Sequence, residues 1–84
     1  MSAQTVLIAD DDAKIRELLE LYLTKEGFAV EQAADGAEAI LKAQQLKPDL
    51  IVLDVMMPVL DGMEVCRQVR KFSRVPVIML TARV

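Results

Sequence analysis

Three apolar runs stand out along the chain: residues 6–9 (VLIA), 50–53 (LIVL) and 75–80 (VPVIML), the last interrupted only by Pro76. Each has the length of a β-strand and is rich in β-branched residues. None alternates with polar positions, the pattern of strands covered by helices on both faces. A weaker run, residues 28–33, alternates in part and reads as a more peripheral strand. Helical periodicity fills the gaps. Over residues 13–26, Ile15, Leu18, Leu19 and Tyr22 fall at the spacing of one helix face, and Gly27 supplies a left-handed stop. Asp35 reads as the N-cap of a second helix, with Glu38 completing a capping box and Pro48 following its end. A third helix, from residue 63 to about 71, places Val65, Cys66, Val69 and Phe72 on a side that can face a core.

The predicted order is β-α-β-α-β-α-β. That alternation implies an α/β fold with a parallel sheet and right-handed crossovers, flanked by helices on both faces. Ligands in such sheets bind at the carboxyl ends of the strands, where the strand order reverses. Asp10 and Asp11 follow the first strand, Asp54 ends the third and Thr81 ends the fourth, so their polar groups are expected at one edge. Three carboxylates with a hydroxyl beside them suit a hard divalent cation. Mg²⁺ takes oxygen ligands, keeps several waters and completes its shell with phosphate oxygens. Two like charges about 4 Å apart repel by about 4 kcal/mol at an effective dielectric near 20, so a dication also accounts for tolerance of the acidic run. The alternative for Asp10 to Asp12 is a helix cap supported by the helix dipole; for Asp12 alone it is the preferred reading.

Composition narrows the function class. The chain has 84 residues, 54% of them hydrophobic, and a formal net charge of −3, which allows one small domain. Its single cysteine, Cys66, precludes an internal disulfide framework and fits a reducing compartment. Cys66 reads as a small buried apolar residue. No secretion signal or run of about 18 apolar residues is present, so a cytoplasmic location without membrane partners is expected. The basic residues are scattered, which argues against nucleic-acid binding by this segment. The chain has no histidine, excluding a Ser-His-Asp triad and a self-contained histidine relay. Asp61 reads as a turn former or helix cap. Met56, Met57, Met63 and Met79 read as core and loop packing.

"ADDD" at residues 9–12, "LDVMMPVLDG" at 53–62 and "VIMLTAR" at 77–83, in this order and spacing, resemble the receiver domain of two-component response regulators. The resemblance runs from about Thr5 onward, and the wording of the last motif leans toward the winged-helix transcription-factor branch. It implies a flavodoxin-like, three-layer parallel sheet with strand order 2-1-3-4-5. It also implies that a histidine kinase or phosphotransfer protein passes a phosphoryl group to Asp54 in a Mg²⁺-dependent reaction. Asp11, Asp54 and the backbone carbonyl of Met56 are the implied metal ligands, with Asp10 acting through a metal-bound water. Thr81 and the Ala82 backbone are the implied phosphoryl-binding and switch groups. Met56 and Arg83 occupy the positions that tune dephosphorylation, and the apolar Met56 implies slow self-dephosphorylation. Lys14, Ile15 and Leu18 lie where the kinase's helical domain is expected to dock.

Such a domain assists its own phosphorylation without being a turnover enzyme on external substrates. A phosphatase of the aspartyl-phosphate type needs a second aspartate at the position of Met56. Relative to the full family pattern, residues 1–84 are expected to form a truncated receiver lacking the last helix, strand and helix. That leaves residues 75–80 as an exposed hydrophobic edge, which predicts self-association (a homo-oligomer) or pairing with a complementing segment of another chain. The alternative function is accordingly a structural, self-associating fragment without phosphotransfer.

Overall fold

A computed structural model of the chain describes residues 3–80. Its elements follow the predicted order: β1 (Thr5–Ala9), α1 (Ala13–Lys25), β2 (Ala29–Ala33), α2 (Gly36–Leu46), β3 (Leu50–Asp54), α3 (Gly62–Val69) and β4 (Val77–Leu80). The strands form one parallel sheet in the order β2-β1-β3-β4, the first four places of the expected arrangement. The chain leaves β1 for one edge and returns to its other side as β3, so the order reverses between β1 and β3. Two hydrogen bonds fasten the start of that pair. The Thr5 N–H donates to Asp49 Oδ2 and the Asp49 N–H to the Thr5 carbonyl, both at 2.8 Å.

Alternation of side chains along the central strands builds two cores. Leu7, Ala9, Ile51 and Leu53 face α2 and α3, where Ala39, Ala43, Val65 and Val69 pack against them. Val6, Ile8 and Val52 face the other way, against half-buried Leu19 and Leu23 of α1. The expected face of α1 is corrected here. Its packed residues are Leu19 and Leu23, with Ile15 half-buried one turn earlier on the same row, while Leu18 and Tyr22 are 52% and 62% exposed. Leu18 and Tyr22 lie on the neighbouring row, one three-residue step round from Ile15, and turn away from the sheet.

Local chemistry sets the helix ends. Asp12, Asp35 and Asp61 are the N-caps of the three helices, accepting from the N–H groups of Lys14, Glu38 and Glu64. Glu38 reaches back to the Ala34 N–H at 2.7 Å, one residue before the cap itself. Gly27, at φ +94°, closes α1: its N–H donates to the Thr24 carbonyl and the Phe28 N–H to the Leu23 carbonyl, a Schellman arrangement. The third helix is shorter than predicted. Its end tightens through bonds from the Lys71 N–H to the Gln68 carbonyl and from the Phe72 N–H to the Val69 carbonyl, which takes Phe72 off the core row and leaves it 40% exposed. Cys66 is half-buried rather than buried. Met57 is buried, whereas Met56 and Met63 are exposed rather than packed. Val75 is buried ahead of the strand, which begins at Val77.

Val59 has a φ of +69° and a fully exposed side chain, so a β-branched residue occupies the left-handed region with no burial to offset the strain. Val59→Gly relieves that strain at the expense of greater freedom in the unfolded chain. A net gain of about 1 kcal/mol is expected, read as a higher urea midpoint at unchanged slope.

Candidate functional site

Because β1 and β3 are paired with Ala9 opposite Leu53, the next residue of each, Asp10 and Asp54, emerges at the same edge of the sheet. Both are almost completely buried, at 1% and 0% exposure. Asp11 is exposed. Carboxylate oxygens of Asp10, Asp11 and Asp54 all lie within 4.8 Å of one another. Among the described residues this is the one group of three such side chains placed to share an ion.

The same local device holds the two buried members. Asp10 Oδ1 accepts from the Asp12 N–H at 2.8 Å, and Asp54 Oδ1 accepts from the Met56 N–H at 3.0 Å. Each carboxylate therefore folds the chain leaving its own strand. The Asp10 N–H donates to the Ala33 carbonyl at the end of β2, and the Val55 N–H to the Leu80 carbonyl at the end of β4. All four strands thus contribute to the floor of the site. The donor set is wholly oxygen, with two buried carboxylates and one at the surface where water can complete a shell. That chemistry fits a hard dication such as Mg²⁺.

The remaining expected residues divide by position. Lys14 is exposed, Ile15 half-buried and Leu18 half-exposed on α1, whose cap, Asp12, is tied to Asp10. Met56 is 66% exposed. Thr81, Ala82 and Arg83 lie outside the described residues. A cleft of about 330 Å³ beside the β3–α3 loop is lined by Asp35, Gly36, Ala37, Pro58, Val59 and Leu60 and includes none of the three clustered aspartates.

Sequence reasoning missed one group of residues next to the site. Arg16 Nη1 donates to the Asp10 carbonyl at 2.6 Å and its Nε to Gln32 Oε1 at 3.0 Å. Gln32 in turn donates to Glu20 at 2.6 Å, and its backbone carbonyl accepts from Lys42 at 2.5 Å. The available signal was Gln32 itself, a polar residue on a strand next to a wholly buried one.

Comparison with known proteins gives a consistent result. The family model described as "Response regulator receiver domain" matches residues 6–84. The transcriptional regulatory protein ResD of Bacillus subtilis is 51% identical over 78 residues, which are 93% of this chain and 32% of ResD. The transcriptional regulatory protein AfsQ1 of Streptomyces coelicolor is 53% identical over 78 residues, 93% of this chain and 34% of AfsQ1. The chain thus spans about a third of the length of these curated relatives. Among solved structures, the chemotaxis protein CheY4 of Vibrio cholerae matches with a TM-score of 0.92 at 40% identity, over 99% of this chain and 72% of that one. The response regulator TrrA of Thermotoga maritima, in complex with Mg²⁺-BeF, matches with a TM-score of 0.89 at 38% identity, over 95% of this chain and 70% of that one.

Gly62 controls how closely α3 approaches the site. A Cβ there would sit 2.5 Å from the Asp54 carbonyl oxygen and 2.8 Å from the Val55 Cα, and backbone atoms cannot rotate aside. Gly62→Ala is expected to cost about 1–3 kcal/mol, the usual range for overpacking. Urea unfolding measures the loss, and displaced amide resonances at Asp54 and Val55 report its location.

Proposed function

Since the chain belongs to the response regulator receiver domain family, we propose that it is a phosphoacceptor: Asp54 takes a phosphoryl group from a histidine kinase or phosphotransfer protein with the help of Mg²⁺. The observation that carries this reading is the meeting of Asp10, Asp11 and Asp54 within 4.8 Å where the strand order reverses. The Mg²⁺-BeF complex of TrrA supports the choice of cation.

In the transfer, an Asp54 carboxylate oxygen forms a bond to phosphorus as the bond from phosphorus to the donor's imidazole nitrogen breaks. The leaving imidazole keeps the electron pair. A carboxylate is a weak nucleophile, so positioning and charge neutralisation supply the acceleration. Asp54 is held by the Met56 N–H on one oxygen, which limits the orientations of the other. Asp11, Asp54 and the Met56 carbonyl are the proposed metal ligands, with Asp10 acting through water. Bound Mg²⁺ offsets the negative charge of the carboxylates and of the transferring oxygens.

Thr81 and the Ala82 backbone are proposed to bind the phosphoryl group once attached, and Met56 and Arg83 to tune its loss. The exposed Met56 thioether is a poor group for orienting an attacking water, which favours a long-lived adduct. Lys14, Ile15 and Leu18 are proposed to meet the kinase, because the cap of their helix is bonded to Asp10. On this reading the protein assists its own phosphorylation and dephosphorylation and does not turn over external substrates. No described helix is long and apolar enough to cross a membrane, and the reading implies a cytoplasmic location with no nucleic-acid contact by this segment. A second reading, self-association through β4, draws on its place at the sheet edge with Ile78 half-exposed among the described residues.

Incubation with acetyl phosphate, followed by intact mass, tests the first reading. One phosphoryl adduct is expected, dependent on Mg²⁺, absent in Asp54→Asn and retained in Asp12→Asn. Failure to form the adduct on a folded, Mg²⁺-saturated chain overturns it, as does equal labelling of Asp54→Asn. Sedimentation of the same sample decides the second reading, for which a monomer is the contrary result.

A further inference from the structure

Asp10 and Asp54 are buried, whereas Asp11 is at the surface, and the course of the backbone through Asp10 contributes to where the Asp11 carboxylate falls. The backbone of Asp10 is held at both of its polar groups, of which the carbonyl belongs to the peptide leading to Asp11. The carbonyl oxygen accepts from Arg16 Nη1 at 2.6 Å, while the Asp10 N–H is bound to the Ala33 carbonyl at 3.2 Å. Arg16 is itself restrained through Nε by Gln32, which is bonded to Glu20. A guanidinium presents its donors in a fixed planar fork, so anchoring Nε on β2 determines where Nη1 points.

We propose that Arg16 is a positioning residue of the acidic site, clamping the Asp10–Asp11 peptide so that Asp11 joins Asp10 and Asp54 in holding a divalent cation. This rests on the cation reading given above. Arg16 touches neither the ion nor the reacting atoms in this scheme; it acts through Asp11. Its positive charge also lies beside the acidic run without occupying a ligand position. Gln32 and Glu20 set the orientation of the fork, which gives both polar side chains a role in the site from outside it.

Titration of the chain with Mg²⁺, followed by ¹⁵N amide shifts at residues 9–12 and 54–56, provides the test. Losses of outer-shell partners typically weaken metal binding by about 10–100-fold, and that is expected for Arg16→Met. Arg16→Lys keeps the charge without the fork and is expected to recover only part of the affinity. Gln32→Leu, which leaves Arg16 in place but frees its Nε, is expected to fall between Arg16→Met and the unsubstituted chain. Urea midpoints measured alongside separate positioning from general stability, because a merely structural role lowers the midpoint while leaving the affinity of the folded fraction unchanged.

Unchanged affinity in folded Arg16→Met overturns the inference, and full recovery in Arg16→Lys shows that charge alone matters and overturns it too. Should Arg16→Met not fold, unchanged affinity in Gln32→Leu is the overturning result. An unsubstituted chain that does not respond to Mg²⁺ removes the cation reading itself, an outcome distinct from any of these.

Discussion

The pairing of β1 with β3 is the constraint on which the site depends. With Ala9 opposite Leu53, the chain delivers Asp10 and Asp54 to the same edge. A slip of one residue would turn every side chain of one strand to the opposite face, exchanging the core residues Leu7 and Ala9 for Val6 and Ile8. Both sets are buried, so burial alone discriminates weakly between the two registers. Shape and the reciprocal Thr5–Asp49 hydrogen bonds at the start of the pair supply the remaining specificity. The register that these bonds help select is also the one that assembles the carboxylates.

Aspartate plays two roles through one short-range preference. At the helix starts, Asp12, Asp35 and Asp61 accept from backbone N–H groups and cap. At the strand ends, Asp10 and Asp54 accept from the N–H two residues on. Both uses satisfy a backbone donor that the regular element leaves open. The strand-end pair differs because burial and proximity to Asp11 add charge repulsion to that local gain. Charges nearer solvent, as at the caps, are screened more effectively. Position in the fold, rather than the local hydrogen bond, separates the carboxylates of the site from the capping ones.

This division explains what was legible in the sequence. Continuous apolar runs identified the buried strands, and the caps and Gly27 marked helix ends, because each is a local signal. The edge shared by Asp10, Asp11 and Asp54 followed from topology. The inward row of α1 was not legible: Ile15 belongs to two possible rows, one through Leu18 and Tyr22 and one through Leu19 and Leu23, and only the sheet beneath chooses between them. Phe72 was misplaced because periodicity does not register the tightening of a last helical turn. The Arg16–Gln32–Glu20 chain joins α1 to β2 over 12 to 16 residues of sequence, and no period along either element announces it.

A site of this kind sets its own demand on the rest of the domain. Holding three carboxylates within 4.8 Å opposes folding until a cation neutralises them, so the surrounding structure must fix them without the ion. The arrangement meets that demand unevenly. Asp10 and Asp54 are held by burial, by strand pairing and by backbone N–H groups, whereas Asp11 remains accessible to water. Fixed ligands reduce the ordering required when an ion binds, and an accessible ligand gives the ion a route in and out. Full burial of all three would impose a larger desolvation cost on the charged site, while full exposure would leave the ligands to be ordered at each binding event. The mixed arrangement keeps the site both preorganised and exchangeable, which is what the proposed cation-dependent reaction at Asp54 requires.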